Sequence, residues 1–323
     1  MQPSPNRALA FHFDRRWRQP RPHRWPAGTL AWVLLAGCES DFEPYGELSS
    51  LRVLAIESVP ASPAPGETAT LTPLLYVPGA EPLTSSWSWC PVEAPSDEGG
   101  ACPLGEEEAA LALGAPVRYD LGTEPLARFE HRFDAASLAR FCSGAVLAAA
   151  GLAIDCSEGL PVQLRYVVRT GSDMVESVRR LRLRFSPEQP ENQNPVVDGI
   201  SALVSGAPLA LDDAGSVVLP RDTEVELVAA VAEGASEPLP LPEGDRMRER
   251  LVLTWFVEAG ETRYERTSFV DGELPLERAL RNAWTSPSLA EHAATDARLI
   301  VVARDERGGV GWRSARVALG DAP

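Results

Sequence analysis

Arg180-Leu181-Arg182-Leu183-Arg184-Phe185 alternates basic and apolar residues without a break. A period of two suits a strand with one face on a core and one in water, and no helix accommodates it. The preceding segment, Val162 to Arg169, alternates as well, and Thr170-Gly171-Ser172-Asp173 between them has turn composition. The pair reads as a hairpin with its arginines facing water, either a ladder that could bind an anion or an acidic partner or, preferred here, a charged face that discourages edge pairing. The chain carries 29 prolines, which argue against long helices and for short strands joined by Pro/Gly turns.

Other stretches repeat the pattern. Leu51 to Ile56 and Thr68 to Thr72 are strand candidates separated by Pro63-Ala64-Pro65-Gly66. In Ser86-Trp87-Ser88-Trp89 both indoles fall on one face. Asp134 can cap a helix from Ala135 to about Leu147, an insertion between sheet elements. Residues 186–195 are polar, proline-rich and free of apolar periodicity, and read as a linker. Beyond them the order recurs. Val196–Val204 opens the second half, and Thr223–Val228 answers the Thr68 strand. Leu251–Val257 answers the tryptophan strand, and Leu299–Arg304 with Val310–Val317 answers the closing hairpin. The expected fold is mostly β: two immunoglobulin-like β-sandwiches in tandem, the first with a small helical insertion. The expected boundaries are 51–185 and 196–320.

Each half resembles bacterial immunoglobulin-like or PKD-like modules. The residues that carry the resemblance are Pro65-Gly66-Glu67-Thr68, the strands holding Trp87, Trp89 and Trp255, and Arg304-Asp305-Glu306-Arg307-Gly308-Gly309. The whole is similar to uncharacterised tandem-sandwich lipoproteins of high-GC Gram-negative bacteria. The cysteine–tryptophan–cysteine pattern of antibody domains is absent.

The N-terminus is of another kind. Six arginines precede an apolar run from Ala27 to Ala36, closed by Leu35-Ala36-Gly37-Cys38. The run is far shorter than the roughly 20 residues a spanning helix needs, so it reads as a signal-peptide core. The four closing residues resemble the lipobox of bacterial lipoproteins. That resemblance implies removal of residues 1–37, acylation of Cys38 on sulfur, and a tether over 38–50. Position +2 is Glu39 and not the Asp that retains lipoproteins at the inner membrane in the enteric pattern, which points to the outer membrane, facing the periplasm or the surface.

From Cys38 onward the chain has 24 arginines, no lysine and 45 acids, a formal charge of −21. Nucleic acid selects basic surfaces, so no nucleic-acid partner is expected. The balance also speaks against the protein lying flat on anionic lipid headgroups.

Four cysteines remain, Cys90, Cys102, Cys142 and Cys156. An even count in an exported chain points to disulfides, with three possible connectivities. The local pairs Cys90–Cys102 and Cys142–Cys156 are preferred because each clips a loop or insertion. Zinc is the alternative, but no C-x₂-C pair and no nearby histidine support it. Only His131 and His292 follow Cys38. His131 is expected to point outward. His292 with Asp296 lacks a nucleophile turn such as G-x-S-x-G. No P-loop, G-x-G-x-x-G or H-E-x-x-H occurs. Glu106-Glu107-Glu108 and Asp212-Asp213 have the chemistry calcium likes, although acidic loop tips are usually solvated. No catalytic residue, cofactor or metal is assigned.

The expected role is a membrane-anchored structural or protein-binding module of the cell envelope. Carbohydrate binding or adhesion, through Trp284 and Trp312 if exposed, is the alternative, and a hydrolytic enzyme has less support.

Overall fold

A computed structural model describes residues 45–79, 81–92, 101–144, 147–148, 151–171, 173–239 and 247–320. Cys38 and the segment read above as a signal peptide lie outside these residues.

The first sandwich is built from β1 (Arg52–Val59), β2 (Thr68–Tyr76), β3 (Thr84–Cys90), β4 (Asp120–Gly122), β5 (Ala127–Glu130), β6 (Leu160–Arg169) and β7 (Met174–Leu183). One sheet has the order β1-β2-β5 and the other β4-β3-β6-β7. The second sandwich contains β8 (Val197–Val204), β9 (Ala207–Leu211), β10 (Val218–Pro220), β11 (Glu224–Val231), β12 (Leu251–Val257), β13 (Glu261–Thr262), β14 (Arg266–Phe269), β15 (Arg281–Thr285), β16 (Asp296–Asp305) and β17 (Val310–Gly320). Its sheets run β13-β15-β11-β8-β9 and β10-β17-β16-β12-β14. Within them the orders β8-β11-β15 and β14-β12-β16-β17 repeat the two sheets of the first sandwich strand for strand. The additions lie at the edges, where β10 joins the last three residues of β17 in parallel and covers that end of its open side.

Alternation explains each core. Trp87 and Trp89 point inward from β3, and Trp87 lies against Tyr166 of β6 with ring centroids 4.2 Å apart. Both indoles are buried with their N–H satisfied, donating to Glu124 O at 3.1 Å and Arg118 O at 2.6 Å. Trp255 and Trp284 fill the second core in the same way, donating to Thr267 Oγ1 and Ala259 O, each at 3.0 Å.

Among the described residues, two helices of eight residues each lie between β3 and β6 in the chain. Asp134 caps α2 (Ala135–Cys142) by accepting from the Ser137 N–H at 2.7 Å. That helix ends before the expected Leu147, with Ser143 at its C-cap and Gly144 beyond it at φ 93°. The other, α1 (Glu106–Leu113), opens on the three glutamates read above as a possible calcium loop. They lie instead in a first helical turn, where the macrodipole favours negative charge. A short α3 (Leu276–Ala279) precedes β15.

The two sandwiches share buried surface. Leu54, Ala55 and Tyr76 of the first pack against Phe256, Ile300, Val302 and Val310 of the second. Leu48 completes this cluster. Its N–H donates to Val257 O at 2.8 Å, and the Val257 N–H donates to Gly46 O at 2.8 Å. Residues 45–48, read from sequence as tether, therefore form an added rung on β12, beyond the point where β14 leaves it.

Candidate functional site

Two places concentrate polar side chains: the seam between the sandwiches, and the face where the chain enters at Tyr45.

At the seam, the Arg184 side chain is almost fully buried and gives hydrogen bonds to Ser62 O at 2.7 Å and Gln189 O at 2.8 Å, with Glu67 Oε2 at 3.1 Å. Arg179 is buried too and donates to Ile56 O and, at 2.7 Å, to Gly308 O in the turn between β16 and β17. Burial lowers its pKa to about 10, so it stays charged at neutral pH. The outward orientation expected for the arginine run thus fails at Arg184. β7 ends at Leu183, and the next residue turns to the loop carbonyls of the seam.

Residues 186–195 are pinned along their second half. Asn192 N–H donates to Ser62 Oγ at 3.0 Å, and Asn194 Nδ2 donates to Ser58 O at 2.8 Å. Asn194 Oδ1 accepts from the Val310 N–H at 3.0 Å. Asp305 accepts from Asn192 Nδ2 at 3.0 Å and from the Gly309 N–H at 2.6 Å. Nearby, Glu249 is fully buried, and desolvation raises its pKa to about 7, with Asp305 and Glu237 adding to the rise and Arg307 opposing it.

His131 also belongs here. It is fully buried, contrary to the outward placement expected. Nδ1 accepts from the Phe133 N–H at 3.3 Å and Nε2 faces Arg184 O at 2.9 Å, which fixes the neutral ring with its proton on Nε2. Burial pushes its pKa down.

The entry face lies on the second sandwich. The Arg52 guanidinium donates to Tyr45 O at 2.7 Å, and the Arg266 guanidinium stacks 4.4 Å from the centre of the Tyr45 ring. Arg250 and Arg304 join Arg266 around a depression of about 590 Å³. Arg266 is shared with a groove of about 730 Å³ between β14, α3 and β15, where Tyr264 and Arg278 also stand. No signal in the sequence marked this cluster, because its arginines come from separate strands and loops.

The residues singled out from sequence fall elsewhere. Cys90 is bonded to Cys102 and Cys142 to Cys156, with Cα separations of 5.5 and 6.1 Å. The second bridge ties the end of α2 to the approach to β6. His292 Nε2 lies 2.9 Å from the backbone oxygen of Asp296, whose carboxylate pairs with Arg316 at 2.6 Å. The His292–Asp296 catalytic pair is therefore not formed. Trp284 is fully buried and Trp312 is half-buried against the shared cluster, so neither offers an open stacking platform for a sugar. Asp212 accepts from the Ala214 and Ser216 N–H groups at 3.0 and 3.2 Å, which makes it a turn residue. Among the described residues no three His, Cys, Asp or Glu side chains are placed to hold a metal ion, and none of their helices is long and apolar enough to cross a membrane.

The fold is that of two immunoglobulin-like β-sandwiches in series. No family model and no curated protein matches the chain. Among solved structures it is similar to the three N-terminal domains of the bacteriophage RB49 highly immunogenic outer capsid protein, at 12% identity and TM-score 0.22, covering 84% of this chain and 59% of that one. It is also similar to a bacterial ice-binding adhesin, at 12% identity and TM-score 0.22, covering 85% and 67%. Against eight immunoglobulin domains of Down Syndrome Cell Adhesion Molecule the identity is 12% and the TM-score 0.20, with coverage of 84% and 25%. At such scores the likeness carries no argument about activity.

Proposed function

We propose that this chain is a lipoprotein of the outer membrane, held by acyl chains on Cys38, whose paired sandwiches serve as a structural or protein-binding module of the cell envelope. The observation that carries this reading is Leu35-Ala36-Gly37-Cys38 at the end of a short apolar run. Several acyl chains, at about 0.8 kcal/mol per buried CH₂, hold a protein stably on a bilayer. Two disulfides support an oxidising, exported setting. The seam supports a passive scaffold over a jointed one, since Arg179 reaches across to Gly308 and Asn192 and Asn194 of the connecting segment each bind both sandwiches.

The test is mild crosslinking in the native host, followed by capture of the protein from membranes and identification of what accompanies it, with Cys38→Ala as control. A reproducible partner that disappears in the control is the expected result. Unchanged membrane association of Cys38→Ala would overturn the reading.

A further inference from the structure

Arginine gathers at one face of a chain that is otherwise strongly acidic. Arg250, Arg266 and Arg278 are exposed there, with Arg304 partly buried beside them. Among the described residues none of the four lies within ion-pair distance of a carboxylate. Most acids in the neighbourhood are engaged. Glu265 Oε1 accepts from the Tyr45 N–H at 2.8 Å, and Glu224 and Glu226 pair with Arg263 and Arg281 at 2.9 and 2.7 Å. Asp305 is turned toward Asn192 and Gly309. Glu277 and Glu306 line the two depressions without an arginine partner, and Glu47 stands exposed two residues from Tyr45. Two tyrosines interleave with the arginines, Tyr45 at 43% exposure and Tyr264 at 55%.

Guanidinium groups bind phosphate oxygens in a bidentate fork. Tyrosine suits a boundary that is apolar on one side and wet on the other. The chain reaches this face from Cys38 through seven residues, which span about 25 Å at full extension. We infer that this face rests on the bilayer, with Arg250, Arg266 and Arg278 against the phosphates of anionic phospholipids and the two tyrosines at the headgroup level. The inference rests on the lipid-anchor reading. The anchor supplies the attachment, and the arginine face sets the orientation, which turns the acidic remainder of the surface away from the membrane. A chain of net charge −21 would not settle on anionic lipid in random orientation.

Arginine footprinting tests it. The lipidated full-length protein is reconstituted into vesicles of phosphatidylethanolamine and phosphatidylglycerol, or of phosphatidylcholine alone. It is then treated with phenylglyoxal and digested for mass spectrometry. Modification of Arg250, Arg266 and Arg278 should slow about fivefold in the anionic vesicles, the factor expected per basic residue at such a surface. High salt should remove the difference. Exposed Arg118, Arg128 and Arg313 should react equally in both. Equal rates at the three arginines, with Cys38 acylated, would overturn the orientation and leave the anchor standing. The same protection by glycerol 3-phosphate without vesicles would overturn it in favour of a soluble phosphate ligand. A Cys38 peptide lacking acyl mass in the digest would remove the anchor, and the placement of this face with it.

Discussion

Replacing Ile300 by alanine probes whether the two sandwiches fold as one unit. Ile300 lies on β16, is 2% exposed, and points away from the core of its own sandwich into the cluster formed with Leu54, Ala55 and Tyr76 of the other. Alanine removes three carbon groups, or ~2.4 kcal/mol at about 0.8 kcal/mol each. The cavity left among Phe256, Val302 and Val310 adds to this, for a total of ~3–4 kcal/mol. If both sandwiches melt together, that loss lowers Tm by ~6–16 °C, given about 2–4 °C per kcal/mol for a unit of this size. Scanning calorimetry on the parent and the variant is the assay. The expected result is one transition in each, with calorimetric and van't Hoff enthalpies in agreement. Two transitions in the parent, with Ile300→Ala moving only one, would refute the reasoning, as would a loss below about 1 kcal/mol.

Three further predictions concern stability. Cys90→Ser with Cys102→Ser opens a short loop, and should lower stability by ~3 kcal/mol in the chain-entropy model, read from a shifted midpoint in denaturant under non-reducing conditions. Arg184→Met leaves the carbonyls of Ser62, Pro187 and Gln189 without their donor, and should cost ~3 kcal/mol or more by the same assay; a loss under about 1 kcal/mol would show that water replaces the guanidinium. Glu249 has a folded pKa of about 7 against an ordinary value of 4.5, so between these values the folded state holds the extra proton. Its contribution to stability therefore falls as pH rises from about 4.5 to 7 and is flat above. Glu249→Gln should raise stability at pH 8 and remove that slope, while a variant that is less stable at pH 8 would contradict it. His131 acts in the opposite sense, since its lowered pKa makes stability fall as pH drops below the ordinary histidine value.

The strands were legible because each sandwich buries one face of most of them. Thr68–Leu71, Trp87–Trp89 and Arg180–Leu183 alternate in sequence as they do in burial. The shared seam was visible in the same terms but harder to separate from an ordinary strand. Leu299-Ile300-Val301-Val302-Ala303 is an unbroken apolar run, which is how a strand buried on both faces reads. The partner covering its outer face comes from about 250 residues earlier in the chain, and no local pattern reveals it. His131 and Arg184 were misjudged for a related reason. Their polarity suggests a wet face, yet His131 meets the backbone oxygen of Arg184 and Arg184 that of Ser62, both far along the chain, and backbone carries no residue signature. α1 was hidden because Glu106-Glu107-Glu108 was read for its charge and not as a first helical turn.

The most direct test of the account is the mass of the mature N-terminal peptide, taken from protein purified out of native membranes. The account predicts a peptide that begins at Cys38 and carries two or three acyl chains. A peptide that begins at another residue, or at an unmodified Cys38, would contradict it.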